Sequence, residues 1–303
     1  MKQLDIVIHN PTGLHARPAK VFGNTAKQFE SDIRVEHGEK KANAKSLISM
    51  LTLGVESGSQ IRILVNGADQ DEAIDVLQTA VENGLGEGEE EAAPVPPAPE
   101  PTPVKETVVE ELASNMLKGI PAAPGIAIGP IYLLQHEEIE IEETFQGVSE
   151  EQDRLQKAIE RARAQLVALH KQMLKSAAAS EAAIFEVHQE ILEDPDLLDA
   201  VLAKIEKKQS AAQAWQSTID ARANAMAKLN DPLLAGRAAD IQDVGYRVLR
   251  LLMGSDDQRV SLPDHPVILI AEDLSPSDTA SLDRGKVLGF VTSAGGPTAH
   301  SAI

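Results

Sequence analysis

Apolar and polar residues alternate along 3–9, so that Leu4, Ile6 and Ile8 share one face of a half-buried strand. The period then changes. Between 16 and 29, Ala19, Phe22, Ala26 and Phe29 recur at helical spacing. Strand patterns return at 33–37, 40–44 and 60–66. Helices are predicted from about Ser46 to Leu53, with Ser46 as N-cap, and over 70–83, where Ala73, Leu77, Ala80 and Val81 line one face. The order β-α-β-β-α-β-α makes 1–85 a small α+β module with its helices on one face of a sheet.

From Gly86 the pattern stops. Six prolines fall between Pro94 and Pro103, among glutamates. Such a stretch buries little apolar area and is expected to be extended, partly polyproline II, so 86–116 reads as a semi-rigid tether. Residues 117–148 combine Gly/Pro turns with short strands. The next hundred residues, 149–254, are helical, with Leu155, Ile159, Ala162, Leu166 and Leu169 tracing one stripe. Asp194-Pro195 and Asp231-Pro232 both suit helix starts, Asp as N-cap and Pro in the first turn. A bundle of four or more helices is expected. Strands come back at 266–272 and 287–293, around a helix near 276–283. Residues 255–303 match 117–148 in character, so the bundle reads as an insertion in a split α/β domain. At Ile303 a helix has only begun after the last glycine turn, and the expectation is a fragment with that domain incomplete.

Composition narrows the function. Against 28 Lys and Arg stand 47 Asp and Glu, a formal charge of −19. The first 85 residues are nearly balanced; the acidity lies in the rest. This argues against nucleic acid as a partner, and five Phe, two Tyr and one Trp give little base-stacking surface. The absence of cysteine excludes disulfides, thiolate zinc sites and a Cys nucleophile. No apolar run is long enough to span a membrane, and the N-terminus lacks a signal peptide's apolar core. The expected compartment is the cytoplasm.

Two segments could carry chemistry. In Gly13-Leu14-His15-Ala16-Arg17-Pro18, the histidine falls between a strand and a helix start. Free backbone N–H groups and the positive end of the helix dipole suit an anion there, Arg17 adds five donors, and imidazole is a nucleophile that accepts phosphoryl groups. In Gly295-Gly296-Pro297-Thr298-Ala299-His300, a glycine turn, a hydroxyl and a histidine again follow a strand. For each, the alternative is a histidine that merely precedes a helix. No P-loop, HExxH or GxSxG sequence is present. His170 and His188 lack a ligand partner at i+4 and read as surface or packing residues; no metal site is expected.

With those residues in view, GLHARPA, KSLISMLTLGV (45–55) and the closing helix resemble HPr, the histidine phosphocarrier of the bacterial phosphoenolpyruvate:sugar phosphotransferase system (PTS). GIPAAPGIAIGPIYLL (119–134), FEVHQEILEDPDLL (185–198), GRAADIQDVGYRVLRLLMG (236–254), ILIAEDLSPSDTA (268–280) and GFVTSAGGPTAHSAI (289–303) resemble the N-terminal part of Enzyme I. The pair joined by a proline-rich tether is similar to multiphosphoryl transfer proteins. The implied fold is an HPr-like open-faced β-sandwich, a linker, and a helical HPr-docking subdomain inserted in an incomplete α/β phosphohistidine domain.

The resemblance implies that His300 takes phosphoryl from phosphoenolpyruvate (PEP) and that His15 receives it and passes it to the IIA domain of a sugar permease, fructose being the expected sugar. Arg17, Thr298, Gly295 and Gly296 would support the two sites. Ser46 matches a position phosphorylated by a regulatory kinase in some bacteria. Docking would use Leu47, Ile48 and Leu51, rimmed by Lys20, Lys27 and Lys45, against a helical surface including Glu181 and Arg237. Pro297 and Ala299 replace the commonest Arg and Ser, and Ala179 and Ser180 replace paired acids. The PEP- and Mg²⁺-binding barrel, which is also the dimerisation domain, is expected beyond this chain, so a monomeric fragment without cofactor is expected. Two other classes stay open: a regulatory module whose His15 or Ser46 phosphorylation alters binding to a transcription factor or enzyme, and a structural adaptor.

Overall fold

The computed structural model describes residues 1–87, 117, 119–134, 139, 141, 144–175, 179–255, 262–283 and 285–294. Its N-terminal module is a four-stranded antiparallel sheet in the order β1-β4-β2-β3, with β1 at Lys2–Val7, β2 at Asp32–His37, β3 at Lys40–Asn43 and β4 at Gln60–Asn66. Ile33 and Val35 of β2 and Ile61, Ile63 and Val65 of β4 turn to the core, and their polar alternates turn to solvent. Helices α1 (Ala16–Ala26), α2 (Leu47–Thr52) and α3 (Gln70–Glu82) cover the core, with Phe22, Ile48, Met50 and Leu77 fully buried. Each element falls within a few residues of its predicted span. Gly13 has φ +71°, and a Cβ there would collide with the Val55 carbonyl; only glycine lets the His15 segment pass so close.

The helical part comprises α4 (Val148–Lys175), α5 (Ala179–Leu192), α6 (Pro195–Glu206), α7 (Ala211–Ala227), α8 (Pro232–Gly236) and α9 (Ala238–Leu252). Asp194 and Asp231 cap α6 and α8 as expected, accepting from Leu197 N and from Leu233 N and Leu234 N. Trp215 is wholly buried and donates from Nε1 to Gly245 O at 2.9 Å. A second sheet is parallel, β5 (Ile131–Leu133), β6 (Val267–Ala271) and β7 (Val287–Thr292), with α10 (Pro276–Ser281) between β6 and β7. Because β5 precedes the helices and pairs with β6 after them, the bundle is inserted in this α/β unit. Of the short strands expected in 117–134, only β5 forms among the described residues. Most of the tether, 88–116, lies outside the described residues.

Candidate functional site

His15 is the residue before α1, in extended backbone (φ −82°, ψ −170°). Pro18 occupies the first turn, and Ala19 N closes it on His15 O at 2.9 Å. Arg17 is exposed beside it. The imidazole is partly buried, and its Nε2 lies 2.8 Å from Glu87 Oε1. The other oxygen of Glu87 accepts from Asn10 Nδ2 at 2.8 Å, and Asn10 also donates to Gly84 O at 2.8 Å. The sequence reading assigned Glu87 to the tether; here it is held on the first module. What places it is a left-handed reversal after α3, a 3-10 turn at Gly84–Gly86 where Gly84, Leu85 and Gly86 all have positive φ (73°, 49° and 80°).

Helix α2 starts where Ser46 Oγ accepts from Ser49 N, as predicted. The same hydroxyl donates to Asp194, 2.8 and 2.9 Å from its two oxygens, and Ile48 N donates to Asp194 Oδ2 at 3.0 Å. Asp194 therefore caps α6 and receives the N-terminus of α2 at once. Both side chains are sealed, Ser46 at 0% and Asp194 at 1% exposure. Burial pushes the Asp194 carboxyl above its usual range, against the opposing pull of Ile48 N, Ser46 and Leu197 N. Around this centre, Leu47, Ile48 and Leu51 are buried in one apolar cluster continuous with α5, α6 and α7.

Complementary charges rim the contact. Lys20 pairs with Glu186 at 2.6 Å and Lys27 with Glu190 at 2.7 Å, the two acids lying four residues apart on α5. Asn24 donates to Glu190 at 3.2 Å, Asn43 to Asp196 at 2.8 Å, and Ser49 Oγ to Asp196. The hydrogen bond from Lys20 holds the Glu186 carboxyl below its usual range, ahead of the opposing effect of burial. Lys45 turns to Phe29 O at 2.6 Å, within its own module.

Behind the contact, His188 is wholly buried, edge-on to Phe185, with Nε2 3.4 Å from Asp240 and Nδ1 3.6 Å from Asp243. Arg237 donates to Asp240 at 3.1 Å, so it braces the bundle at the α8–α9 junction. Burial works to raise the Asp240 carboxyl, but the hydrogen bond and charge of His188, with Arg237, outweigh it and hold it below its usual range. The packing role expected for His188 fits this place; its acidic partners were not anticipated. His300, Thr298, Gly295 and Gly296 lie outside the described residues, as does the Glu181 side chain; β7 ends just before that loop. Among the described residues no group of three or more His, Asp or Glu could hold a metal ion, and no helix is long and apolar enough to cross a membrane.

The sequence reading missed Glu87, Glu186, Glu190, Asp194 as a docking residue, and Asp196. The acids spaced four apart on α5 were the one available signal, since the nearly balanced first module carries Lys20 on α1 and Lys27 at its C-terminal end.

Comparison with known proteins places these modules. Residues 2–83 match the PTS HPr component phosphorylation site family, 118–237 the N-terminal domain of PEP-utilising enzymes, and 263–303 their mobile domain. The chain is 36% identical over 304 aligned positions to a multiphosphoryl transfer protein of Xanthomonas campestris, covering all of this chain and 36% of that protein. It is 39% identical to a multiphosphoryl transfer protein of Rhodobacter capsulatus, over 91% of this chain and 33% of that one. It is 31% identical to the phosphoryl donor subunit of the PEP-dependent dihydroxyacetone kinase of Klebsiella michiganensis, over all of this chain and 59% of that subunit. The chain thus spans about a third of the length of the two multiphosphoryl relatives. Residues 2–83 belong to the PTS HPr component family and 118–237 and 263–303 to the PEP-utilising enzymes, so the chain is a fusion of the two.

Proposed function

We propose that this chain is a phosphoryl relay of the phosphotransferase system, in which His300 takes phosphoryl originating from PEP and hands it to His15. The observation that carries the reading is the docked module. The module that carries a nucleophilic residue at a helix start is seated on the helical part by apolar α2, with Asp194 at the N-terminus of α2 and two Lys–Glu pairs fixing the register. Transfer is in-line. A ring nitrogen of His15 attacks phosphorus with its lone pair, and the P–N bond to His300 breaks with its electrons returning to that imidazole. Positioning and charge stabilisation supply the catalysis, with Arg17 and the first N–H groups of α1 facing the transferred oxygens. The tether makes docking intramolecular, with an effective concentration on the order of millimolar, so a modest contact suffices.

In this reading phosphoryl leaves His15 for the IIA domain of a sugar permease, with fructose the proposed sugar. PEP and Mg²⁺ are used by a barrel outside this chain, which also dimerises the longer protein, and the relay works in the cytoplasm. The likeness to a dihydroxyacetone kinase donor subunit over the whole chain favours a second reading, in which the acceptor is that kinase. The test is to mix the 303-residue chain with full-length PEP-protein phosphotransferase, PEP and Mg²⁺ and to measure acid-labile phosphate. Label on His15, lost in His15→Ala, is the expected result. Absence of label from both histidines overturns the relay, and onward transfer to a IIA domain or to dihydroxyacetone kinase separates the two acceptors.

A further inference from the structure

We propose that Ser277 is a positioning residue for the transfer: its hydroxyl, clamped between Asp243 and Arg247, fixes the angle at which the α/β unit stands on the helical bundle, and with it the point from which the chain leaves β7 toward His300. The inference rests on the relay reading above and names the joint on which the transfer geometry depends.

The two bodies do not share a core. Among the described residues, the buried apolar cluster of the bundle runs into the first module, whereas the α/β unit has its own, built on Leu269, Ala271 and Leu274. Ala280 of α10 packs half-buried on the bundle's cluster, and apolar contact has no preferred direction. The directional contacts across the joint are polar. Asp243 and Arg247 lie four residues apart on α9 and so share one face. Ser277 Oγ donates to Asp243 Oδ2 at 2.5 Å and accepts from Arg247 Nη2 at 2.7 Å, and Ser277 N donates to the same carboxylate oxygen at 3.3 Å. Both α9 groups are buried, Asp243 at 8% and Arg247 at 5% exposure. Arg247 also donates to Gln165 Oε1 of α4 at 3.3 Å. Burial works to lower the Arg247 guanidinium, against the charges of Asp243 and Asp278. Buried charges of this kind tolerate little displacement, because a partner drawn away leaves a charge without water or counter-charge.

The clamp reaches the transfer path through stiff parts. Ser275 and Asp278 close a capping box at the start of α10, Ser275 N donating to Asp278 Oδ2 at 2.9 Å and Asp278 N to Ser275 Oγ at 3.1 Å, with Pro276 between them. Ser277 is therefore presented on a fixed turn. The strand-to-helix connection just before it also holds the end of β7: Ser293 N donates to Ala271 O at 3.2 Å and Ala294 N to Glu272 O at 2.8 Å. Any rotation of α10 about the joint carries these first residues of the chain that leads to His300. On the other side, Asp243 faces His188 of α5 at 3.6 Å, two residues from Glu186 and Glu190, which grip the docked module. One frame thus runs from Lys20 and Lys27 to Ala294. In-line transfer depends on such a frame, since about 1 Å of misplacement costs on the order of a hundredfold in rate.

The experiment uses the ¹⁵N-labelled 303-residue chain. In the wild type, residual dipolar couplings of the amides in β5–β7 and in α4–α9 are expected to fit one alignment tensor. Ser277→Ala should give the α/β unit a tensor of its own, rotated or reduced, while hydrogen exchange of α2 stays at the wild-type level because docking is untouched. Fluorescence of Trp215 serves as the control that the bundle stays folded. In the same chains, full-length PEP-protein phosphotransferase, PEP and Mg²⁺ load His15, and label then passes to His300. Ser277→Ala should load His15 at the wild-type rate and pass label to His300 about ten- to a hundredfold more slowly. Ser277→Thr, which keeps the hydroxyl, should restore both the common tensor and the transfer. Separate tensors in the wild type, a common tensor in Ser277→Ala, or a rotated unit with unchanged transfer overturns the proposal. If no label reaches His300 in the wild type, the relay reading fails, while the tensors still decide whether Ser277 sets the angle.

Discussion

Ser46→Asp separates the fold of the first module from its docking. Ser46 does two jobs with one hydroxyl: it caps α2 by accepting from Ser49 N and it donates to both oxygens of Asp194. Aspartate is as good an N-cap as serine, so the module keeps its stability. At the contact, however, the substitution puts a second carboxylate against a buried one. Two unit charges about 4 Å apart at an effective dielectric of about 20 repel by about 4 kcal/mol, close to a thousandfold in the docking equilibrium. Ser46→Ala makes the opposite cut. It removes the cap, costing the module about 1 kcal/mol. It also takes one donor from Asp194, which keeps Ile48 N and Leu197 N, so docking weakens by about 1–3 kcal/mol. The assay is hydrogen exchange across α2 in the whole chain for docking, with thermal unfolding of the first module as the stability control. Equal effects of the two variants on docking, or a Ser46→Asp chain as docked as the wild type, would refute the account.

Other outcomes follow from the same geometry. A double-mutant cycle on Lys27→Ala and Glu190→Ala should return a coupling of about 0.2–1 kcal/mol, since the pair is partly solvated; a coupling above about 3 kcal/mol would mean that charge rather than α2 drives docking. His188→Ala should destabilise the helical domain by about 3–5 kcal/mol because it leaves the buried Asp240 with less compensation, read by fluorescence of the single Trp215. Asp240 is held below its usual range, so its share of stability is full above the unfolded value of about 3.9 and is lost as pH falls through the lowered folded value. Acid unfolding of His188→Ala should accordingly show a shallower pH dependence in that window.

Local signals were legible and distant ones were not. The Ser46 cap, the Asp-Pro starts of α6 and α8, and the alternation of β4 are all encoded within a few residues, where hydrogen bonding and burial depend on near neighbours. The inserted bundle could be read because strand patterns flank a long helical stretch. The partners across the contact could not. Ser46 and Asp194 are 148 residues apart in sequence, and His15 and Glu87 are 72 apart; no periodicity carries such pairs. Glu87 was further hidden by its setting, because an acidic Gly-Glu-Gly run looks like the start of the tether. Only the left-handed turn at Gly84–Gly86 brings it back.

The contact carries two opposing pH dependences, and together they predict a maximum. Burial raises the Asp194 carboxyl in the docked state, so that state binds a proton more readily than the undocked one, where the carboxyl caps α6 in water. Docking therefore strengthens as pH falls from neutral toward that raised value. Glu186 behaves in the other sense. Lys20 lowers its carboxyl on docking, so its contribution is complete above the undocked value, about 4.3, and is lost as pH falls through the lowered one. Docking should then rise on the acid side of neutral, peak within the ordinary carboxylate range where the two limbs cross, and fall below it. Asp194→Asn removes the first limb and keeps the second, leaving a curve that declines only at low pH. Lys20→Met removes the second limb and leaves the first. Hydrogen exchange of α2 at a series of pH values measures all three curves, and an Asp194→Asn profile that superimposes on the wild type would show that the buried carboxylate does not govern the contact.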